Sequence, residues 1–373
     1  MDRRTFLRAT PIALAAGTTL AAVKPRKEGS VDYYDVTKWG VEGKAFKDTK
    51  RYFDRLPERA EKTVRRAVWS LSRHSAGMMF RFKTNSKALY TNYMLYSRSL
   101  ALPHMPATGV SGLDVYARDD DADAKDRVDR WLTVAFPRSQ RVKTRLLRDI
   151  DRLPNYRPRL FTAYLPLYNG VDSLEIGVDK GATFEPVAPR KEKPIVFYGT
   201  SIMHGACASR PGLSITAILG RRLNRPVVNL GFSGNGRMET AVGQFLGEID
   251  AAGYVIDCLP NMRSREIAKR TIPLVRQLQK ARPGVPIMLV EDRTYANARF
   301  LRGQRVRHTI SRKSLHDAFV SLKASGDVNI HYLTGPELLG KDGEATTDGS
   351  HPNDLGMIRY ANAYAPALRK MLK

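Results

Sequence analysis

The sequence has few cysteines and few acidic residues. Only Cys207 and Cys258 occur among its 373 residues, which excludes a disulfide-rich scaffold and a cysteine-based zinc site and leaves open whether these two thiols pair. Asp and Glu total 37 against 62 Lys and Arg, so the formal net charge is +25. This excess favours association with a nucleic acid, an anionic surface or an acidic polymer. The basic residues are dispersed and match no nucleic-acid module, so we expect no nucleic-acid partner.

Apolar runs long enough to span a bilayer, about 20 residues, are also missing. The weakly apolar residues 11–22 are too short and too rich in Ala, Gly and Thr for an anchor, and they follow the pair Arg3 and Arg4. This order resembles a twin-arginine export signal. We expect residues 1–29 to form an export signal and spacer, with no stable membrane anchor, and the protein to act in the periplasm or outside the cell.

The remaining chain has the composition of a folded protein, with 42% hydrophobic and 27% charged residues, and its length favours two domains. Residues 30–189 contain short runs with alternating polarity, separated by turn residues. This pattern predicts a β-sandwich or jelly-roll domain. The runs are 76–82, 88–95, 112–117, 131–136 and 160–165. Residues 186–193, with two prolines and four charges, predict a linker.

Residues 190–373 follow a different pattern. Five short apolar runs, 194–199, 226–230, 254–258, 286–290 and 329–333, alternate with helical segments. Buried parallel strands have this character, so the segment predicts an α/β domain with a doubly wound parallel sheet. Ligands of such sheets bind beyond the carboxyl ends of the strands, so reactive groups are expected directly after the strands.

Four short motifs follow strands or precede the last helix. Ser201 stands in Gly199-Thr200-Ser201-Ile202, Gly234 lies in a glycine-rich loop, Asn261 follows the third strand, and Asp348 and His351 form an Asp-x-x-His pair. Each motif alone fits a helix cap or an ordinary turn. Together they contain the groups of a Ser-His-Asp triad and its oxyanion donors.

In this order, the motifs resemble the SGNH hydrolases, the GDSL-type esterase and acylhydrolase superfamily, with Thr200 where the namesake motif has Asp. Upstream, Gly112-Leu113-Asp114-Val115-Tyr116 is similar to the G-x-D-L-Y signature of the β-sandwich module that precedes some of these enzymes. The resemblance implies a flavodoxin-like hydrolase domain. It assigns the triad to Ser201, Asp348 and His351 and the oxyanion hole to Ser201, Gly234 and Asn261, with no metal or cofactor.

The resemblance and the predicted export favour an esterase that removes small acyl groups, acetyl above all, from carbohydrate, with an anionic polysaccharide favoured by the charge. The alternatives are a lipid or lysophospholipid acylhydrolase and a non-catalytic glycan-binding protein. His204, Glu291 and Arg293 lie near the motifs or after the fourth strand and are candidate substrate contacts. The oligomeric state stays open.

Overall fold

The structure is a computed structural model that describes residues 23–119, 128–150 and 158–373. The predicted export signal, up to residue 22, lies outside the described residues. Two antiparallel sheets come first, with strand orders β1-β2-β9-β4-β7 and β10-β3-β8-β5-β6. The strands are β1 Arg26–Glu28, β2 Val31–Asp35, β3 Met79–Thr84, β4 Leu89–Leu95, β5 Asp114–Arg118, β6 Asp129–Val134, β7 Arg141–Leu147, β8 Arg159–Tyr164, β9 Val171–Asp179 and β10 Phe184–Val187.

The two sheets enclose an apolar core that includes Phe80, Phe82, Phe161, Leu174 and Ile176. Burial alternates strictly along β4, as expected for a strand with one face on the core. The predicted β-sandwich is therefore confirmed.

Two strands of this half extend into segments that the sequence predicts to be a spacer and a linker. The spacer expected up to residue 29 includes β1, which pairs with β2 through three residues. The linker expected from residue 186 overlaps β10, whose Pro186 and Val187 lie opposite Phe82 and Arg81. Both strands are short and lie at the edge of a sheet, where the charges of β1 and the proline of β10 are tolerated.

The third sheet is parallel, with the order β12-β11-β13-β14-β15. Its strands are β11 Ile195–Gly199, β12 Val227–Gly231, β13 Gly253–Asp257, β14 Ile287–Val290 and β15 Ile330–Leu333. Numbered within the sheet, this is the flavodoxin-like order 2-1-3-4-5. The predicted doubly wound α/β fold is confirmed, and all five predicted strands are present.

Helices cover both faces of the parallel sheet. The α-helices among the described residues are α1 Arg66–Ser72, α2 Ala107–Val110, α3 Ser201–His204, α4 Ile215–Arg222, α5 Thr240–Glu248, α6 Ser264–Ala281, α7 Arg302–Ala324 and α8 Asp354–Met371. Helices α4 and α8 share one apolar cluster with the sheet, whereas α5, α6 and α7 share the other. None of the helices in the described ranges is both long and apolar enough to cross a membrane.

One segment of the predicted sandwich domain packs on the parallel sheet instead. Leu56, Ala60, Val68 and Trp69, in and before α1, are buried in the same cluster as α5, α6 and α7. The segment around α1 therefore belongs to the core of the parallel sheet, although it precedes that sheet by more than a hundred residues.

Asp114, the acid of the G-x-D-L-Y-like motif, joins the two halves of the chain. Its fully buried Oδ2 accepts hydrogen bonds from Gly212 N at 2.8 Å and from Arg210 Nη1 at 3.0 Å, and its Oδ1 accepts one from Trp131 Nε1 at 3.0 Å. The Tyr116 hydroxyl also lies 2.5 Å from Arg210 Nη1. The motif thus fixes the sandwich to the loop that leads into α4.

Candidate functional site

Ser201 begins α3 and is separated from the end of strand β11 by Thr200 alone. Thr200 caps this single turn, and its Oγ1 accepts the Ile202 N–H at 3.3 Å. At a helix start the first main-chain N–H groups have no acceptor within the helix. The Ser201 hydroxyl and N–H therefore lie together at the carboxyl edge of the sheet, where Ser201 is only 6% exposed.

His351 lies in hydrogen-bond contact with Ser201. Its Nε2 is 2.8 Å from Ser201 Oγ, and its Nδ1 is 2.7 Å from Asp348 Oδ2. Asp348 Oδ1 also accepts the main-chain N–H groups of Ser350 at 2.9 Å and of His351 at 2.7 Å. Burial raises the pKa of Asp348, but these hydrogen bonds outweigh it and hold the pKa below its ordinary value. The carboxylate is therefore ionised and fixes the imidazole with Nε2 toward the serine.

Gly234 and Asn261 approach the same edge from the neighbouring strands. Gly234 has φ +68°, a conformation that favours glycine, and its N–H has no acceptor among the residues that the structure describes. Asn261 Oδ1 accepts the Gly236 N–H at 3.3 Å, which leaves the Asn261 amide nitrogen as a donor. Asn261 follows β13 and Ser201 follows β11, on the two sides of the point where the strand order reverses.

The structure places His204, Glu291 and Arg293, the candidate substrate contacts, inside the protein. His204 is fully buried, with Nε2 3.3 Å from Arg55 Nη2. The Glu291 carboxylate accepts hydrogen bonds from the Tyr332 hydroxyl and the Gly335 N–H.

Arg293 is 1% exposed, and its Nε donates to the Ser350 carbonyl at 3.2 Å. None of the three presents a free polar group to a substrate. Arg293 instead supports the loop that carries His351. A residue's position directly after a strand therefore does not determine whether its side chain faces the site or the protein interior.

Two residues of the sandwich half reach the site without any signal in the sequence. The exposed His104, just before α2, has its ring centroid 5.8 Å from that of His351. The Tyr168 hydroxyl donates to the Ser201 carbonyl at 3.3 Å, and its ring stacks on His204 with a centroid distance of 4.1 Å. Neither belongs to a recognisable motif. Each reaches the site only through the packing of the two halves, which a local sequence pattern does not reveal.

The two cysteines are buried and unpaired with each other. Burial raises the pKa of Cys207 to about 11, so the thiol is neutral near Asp348. Within the described ranges, no three His, Cys, Asp or Glu side chains converge as a metal site would require.

Comparison with known proteins supports the same reading of both halves. Residues 192–369 match the GDSL-like lipase/acylhydrolase family, and residues 31–184 match the N-terminal module of SGNH-hydrolase-type esterases. No curated protein sequence matches the chain.

Three solved structures are similar over 92% of this chain and 98% of theirs. A GDSL-like lipase from Bacteroides ovatus is 31% identical with a TM-score of 0.85. A salicylyl-acyltransferase from a tetracycline biosynthetic pathway is 18% identical with a TM-score of 0.67. A family two carbohydrate esterase from Cellvibrio japonicus is 12% identical with a TM-score of 0.56. The last two show likeness of fold alone. The match to the Bacteroides ovatus protein and the two family matches show that the chain belongs to the GDSL-like lipase/acylhydrolase family of SGNH hydrolases.

Proposed function

We infer that the protein is an exported serine esterase that removes small acyl groups, acetyl above all, from carbohydrate. The observation that supports this most directly is the continuous hydrogen-bonded series from Ser201 Oγ through the His351 ring to Asp348, at 2.8 and 2.7 Å. A nucleophile, a base and a group that orients the base stand here within hydrogen-bond reach, as acyl transfer requires.

The proposed reaction proceeds in two steps. Ser201 Oγ attacks the ester carbonyl carbon while its proton moves to His351 Nε2. The tetrahedral oxyanion accepts hydrogen bonds from Ser201 N, Gly234 N and the Asn261 amide. The C–O bond to the alcohol breaks as His351 returns the proton to the leaving oxygen. Water, deprotonated by His351, then attacks the carbonyl carbon of the acyl-serine. The acid leaves, and His351 returns the proton to Ser201 Oγ.

Carbohydrate as the acyl carrier is supported by the neighbours in structure. They include family two carbohydrate esterases, one of them, from Clostridium thermocellum, in complex with cellohexaose. An anionic polysaccharide is supported by the net charge of +25 and by β7, an edge strand that exposes Arg141, Lys143 and Arg145 at alternate positions. Alternate residues share one face, so the three cations form a row.

Hydrolysis of longer acyl esters is the second candidate. Loop residues 295–301 pack against the loop of the triad, since Ala296 N donates to the Gly349 carbonyl at 3.0 Å. The same loop ends in Phe300 and Leu301, which are 83% and 46% exposed. Apolar side chains beside the site are suited to an acyl chain longer than acetyl.

Turnover of p-nitrophenyl acetate, butyrate and octanoate by the parent and by Ser201→Ala tests the proposal. We expect activity in the parent, no serine-dependent activity in the variant, and the highest kcat/KM with acetate. A preference for octanoate would favour the second candidate, and equal activity of the parent and Ser201→Ala would refute the nucleophile. Acetate release from acetylated neutral and uronate-containing glycans then tests the substrate class. Cell fractionation of an Arg3→Lys, Arg4→Lys double variant tests export.

A further inference from the structure

Arg55 is a buried cation beneath the triad. It belongs to the segment before α1 and is only 2% exposed. Each of its five guanidinium N–H groups donates to an acceptor, and none of these acceptors is a carboxylate. Nε donates to His74 O at 2.9 Å, Nη1 to Asn229 O at 3.1 Å and Gly231 O at 2.8 Å, and Nη2 to Leu71 O at 2.6 Å and His204 Nε2 at 3.3 Å.

The nearest acid in sequence does not neutralise Arg55. Asp54 forms ion pairs with Arg73 at 2.7 Å and Arg51 at 3.3 Å. The histidine partner is neutral, since burial lowers the pKa of His204 well below its ordinary value and the charge of Arg55 lowers it further. Burial lowers the pKa of Arg55 to about 9, which leaves the guanidinium protonated at neutral pH. Arg55 therefore places a positive charge without a bonded counter-ion inside the protein.

Three of the acceptors of Arg55 lie on elements that form the site. Asn229 and Gly231 end β12, whose following loop carries Gly234, and His204 ends the turn that begins with Ser201. These two turns are in direct contact, because a Cβ on Gly231 would lie 2.2 Å from His204 N. One rigid guanidinium thus spans the nucleophile turn and the strand that leads to the predicted oxyanion loop.

We propose that Arg55 is a positioning residue for acyl transfer, which holds the Ser201 and Gly234 turns in register and favours the anionic tetrahedral intermediate over the neutral ester. This inference rests on the proposed esterase function. A fixed charge in a poorly solvated interior interacts more strongly with a developing anion than it would in water. It has no such preference for the neutral ground state, so its effect falls on kcat and not on KM.

The test compares Arg55→Gln and Arg55→Lys with the matched control Arg73→Gln, which removes a nearby arginine that has a carboxylate partner. Two quantities are measured for each folded variant: kcat and KM with p-nitrophenyl acetate, and the Kd of phenylboronic acid, whose boron binds Ser201 Oγ as a tetrahedral anion. We expect Arg55→Gln to lower kcat by about tenfold or more, less than the ~10²- to 10³-fold loss of a direct oxyanion donor. KM should stay within about twofold and boronate affinity should fall in parallel with kcat. Arg55→Lys, which keeps the charge, should recover part of both losses, and Arg73→Gln should match the parent.

A kcat and boronate affinity of Arg55→Gln within about twofold of the parent would overturn the proposal, as would a loss of kcat with unchanged boronate affinity. If Arg55→Gln does not fold, the same two quantities are compared for Arg55→Lys. Parallel losses of kcat and boronate affinity support the proposal, and values within about twofold of the parent or a loss of kcat alone overturn it. If the esterase proposal itself is wrong, the result is different, because the parent would then show no Ser201-dependent turnover.

Discussion

The carboxylate of Asp348 holds His351 at two points, with Oδ2 2.7 Å from the ring Nδ1 and Oδ1 2.7 Å from the main-chain nitrogen. The same side chain thus fixes both the rotation of the imidazole and the position of its backbone. A three-residue spacing makes this possible, because the loop folds back on itself through a bond from Thr347 N to the His351 carbonyl at 2.9 Å.

Replacing Asp348 by Asn is expected to lower kcat by about 10³-fold or more, since an amide no longer enforces the imidazole tautomer with a free Nε2. KM for p-nitrophenyl acetate should change little. Asp342→Asn is the matched control, because Asp342 lies in the same region of the chain but pairs with Arg359. Steady-state kinetics of both variants test this role. A parental kcat in Asp348→Asn would show that Asp348 does not act in the triad.

Asn261→Ala is expected to lower kcat by about 10²- to 10³-fold with little change in KM, because the amide nitrogen binds charge that exists only in the transition state. Asn235 provides the control. It lies in the Gly234 loop, but its side chain bonds to Arg65 and to the Ser233 carbonyl. Equal kinetic losses in Asn235→Ala and Asn261→Ala would point to a loop defect and contradict a specific donor role.

Asp114→Ala is expected to destabilise the protein by about 3–5 kcal/mol, because it removes the buried carboxylate that accepts from the partly buried Arg210 side chain and from the Gly212 and Trp131 N–H groups. Urea unfolding measures the loss. Asp317→Asn removes an exposed ion pair with Lys313 and should cost less than about 1 kcal/mol. Similar unfolding midpoints for both variants would show that the motif does not join the two halves energetically.

Stability is expected to decrease as the pH rises toward neutrality, and Asp257 is one cause. Its carboxyl is buried at the end of β13 and accepts the Tyr364 hydroxyl at 2.6 Å. Burial raises the pKa of Asp257 to about 7, against about 3.9 in an unfolded chain. Between these values the folded protein binds the proton that the unfolded chain releases. The resulting stabilisation, on the order of a few kcal/mol, is complete below about pH 4 and is lost as the pH passes 7.

Thermal unfolding of the parent and of Asp257→Asn at pH 5 and pH 8 isolates this effect. The variant keeps an oxygen acceptor for Tyr364 but carries no titrating group, so its stability should change less between the two pH values. An identical change in both proteins would mean that Asp257 is ionised in the folded state at both pH values.

The sequence was most informative where burial is complete on both sides of an element. Strands β11 to β14 are buried along their whole length because helices cover both faces, whereas the edge strand β15 buries only Ile330. All five were predicted close to their observed bounds. Strand β7 was missed because it lies at an edge, with three exposed cations interrupting its apolar residues. Strand β9 was missed as well, although its central position buries Leu174 and Ile176.

Three of the four motifs follow the adjacent strands β11, β12 and β13, whose ends lie at one edge of the sheet. The fourth, with Asp348 and His351, lies in the loop before α8 and reaches Ser201 through the His351 ring. The contacts of His204 and Arg293 could not be predicted in the same way. Each depends on a partner far away in the sequence, Arg55 for the first and the loop before His351 for the second. Arg55 itself stands in a polar, irregular segment with no pattern that indicates burial.

The packing of residues 56–69 on the parallel sheet means that the hydrolase half is not an interchangeable module. A chain that began at residue 190 would retain Ser201, Asp348 and His351 but would lose Leu56, Val68 and Trp69 from one side of its core. The exposed apolar face would promote aggregation, and the site would lack Arg55. Grafting residues 190–373 onto another domain therefore requires the upstream segment to be carried with them.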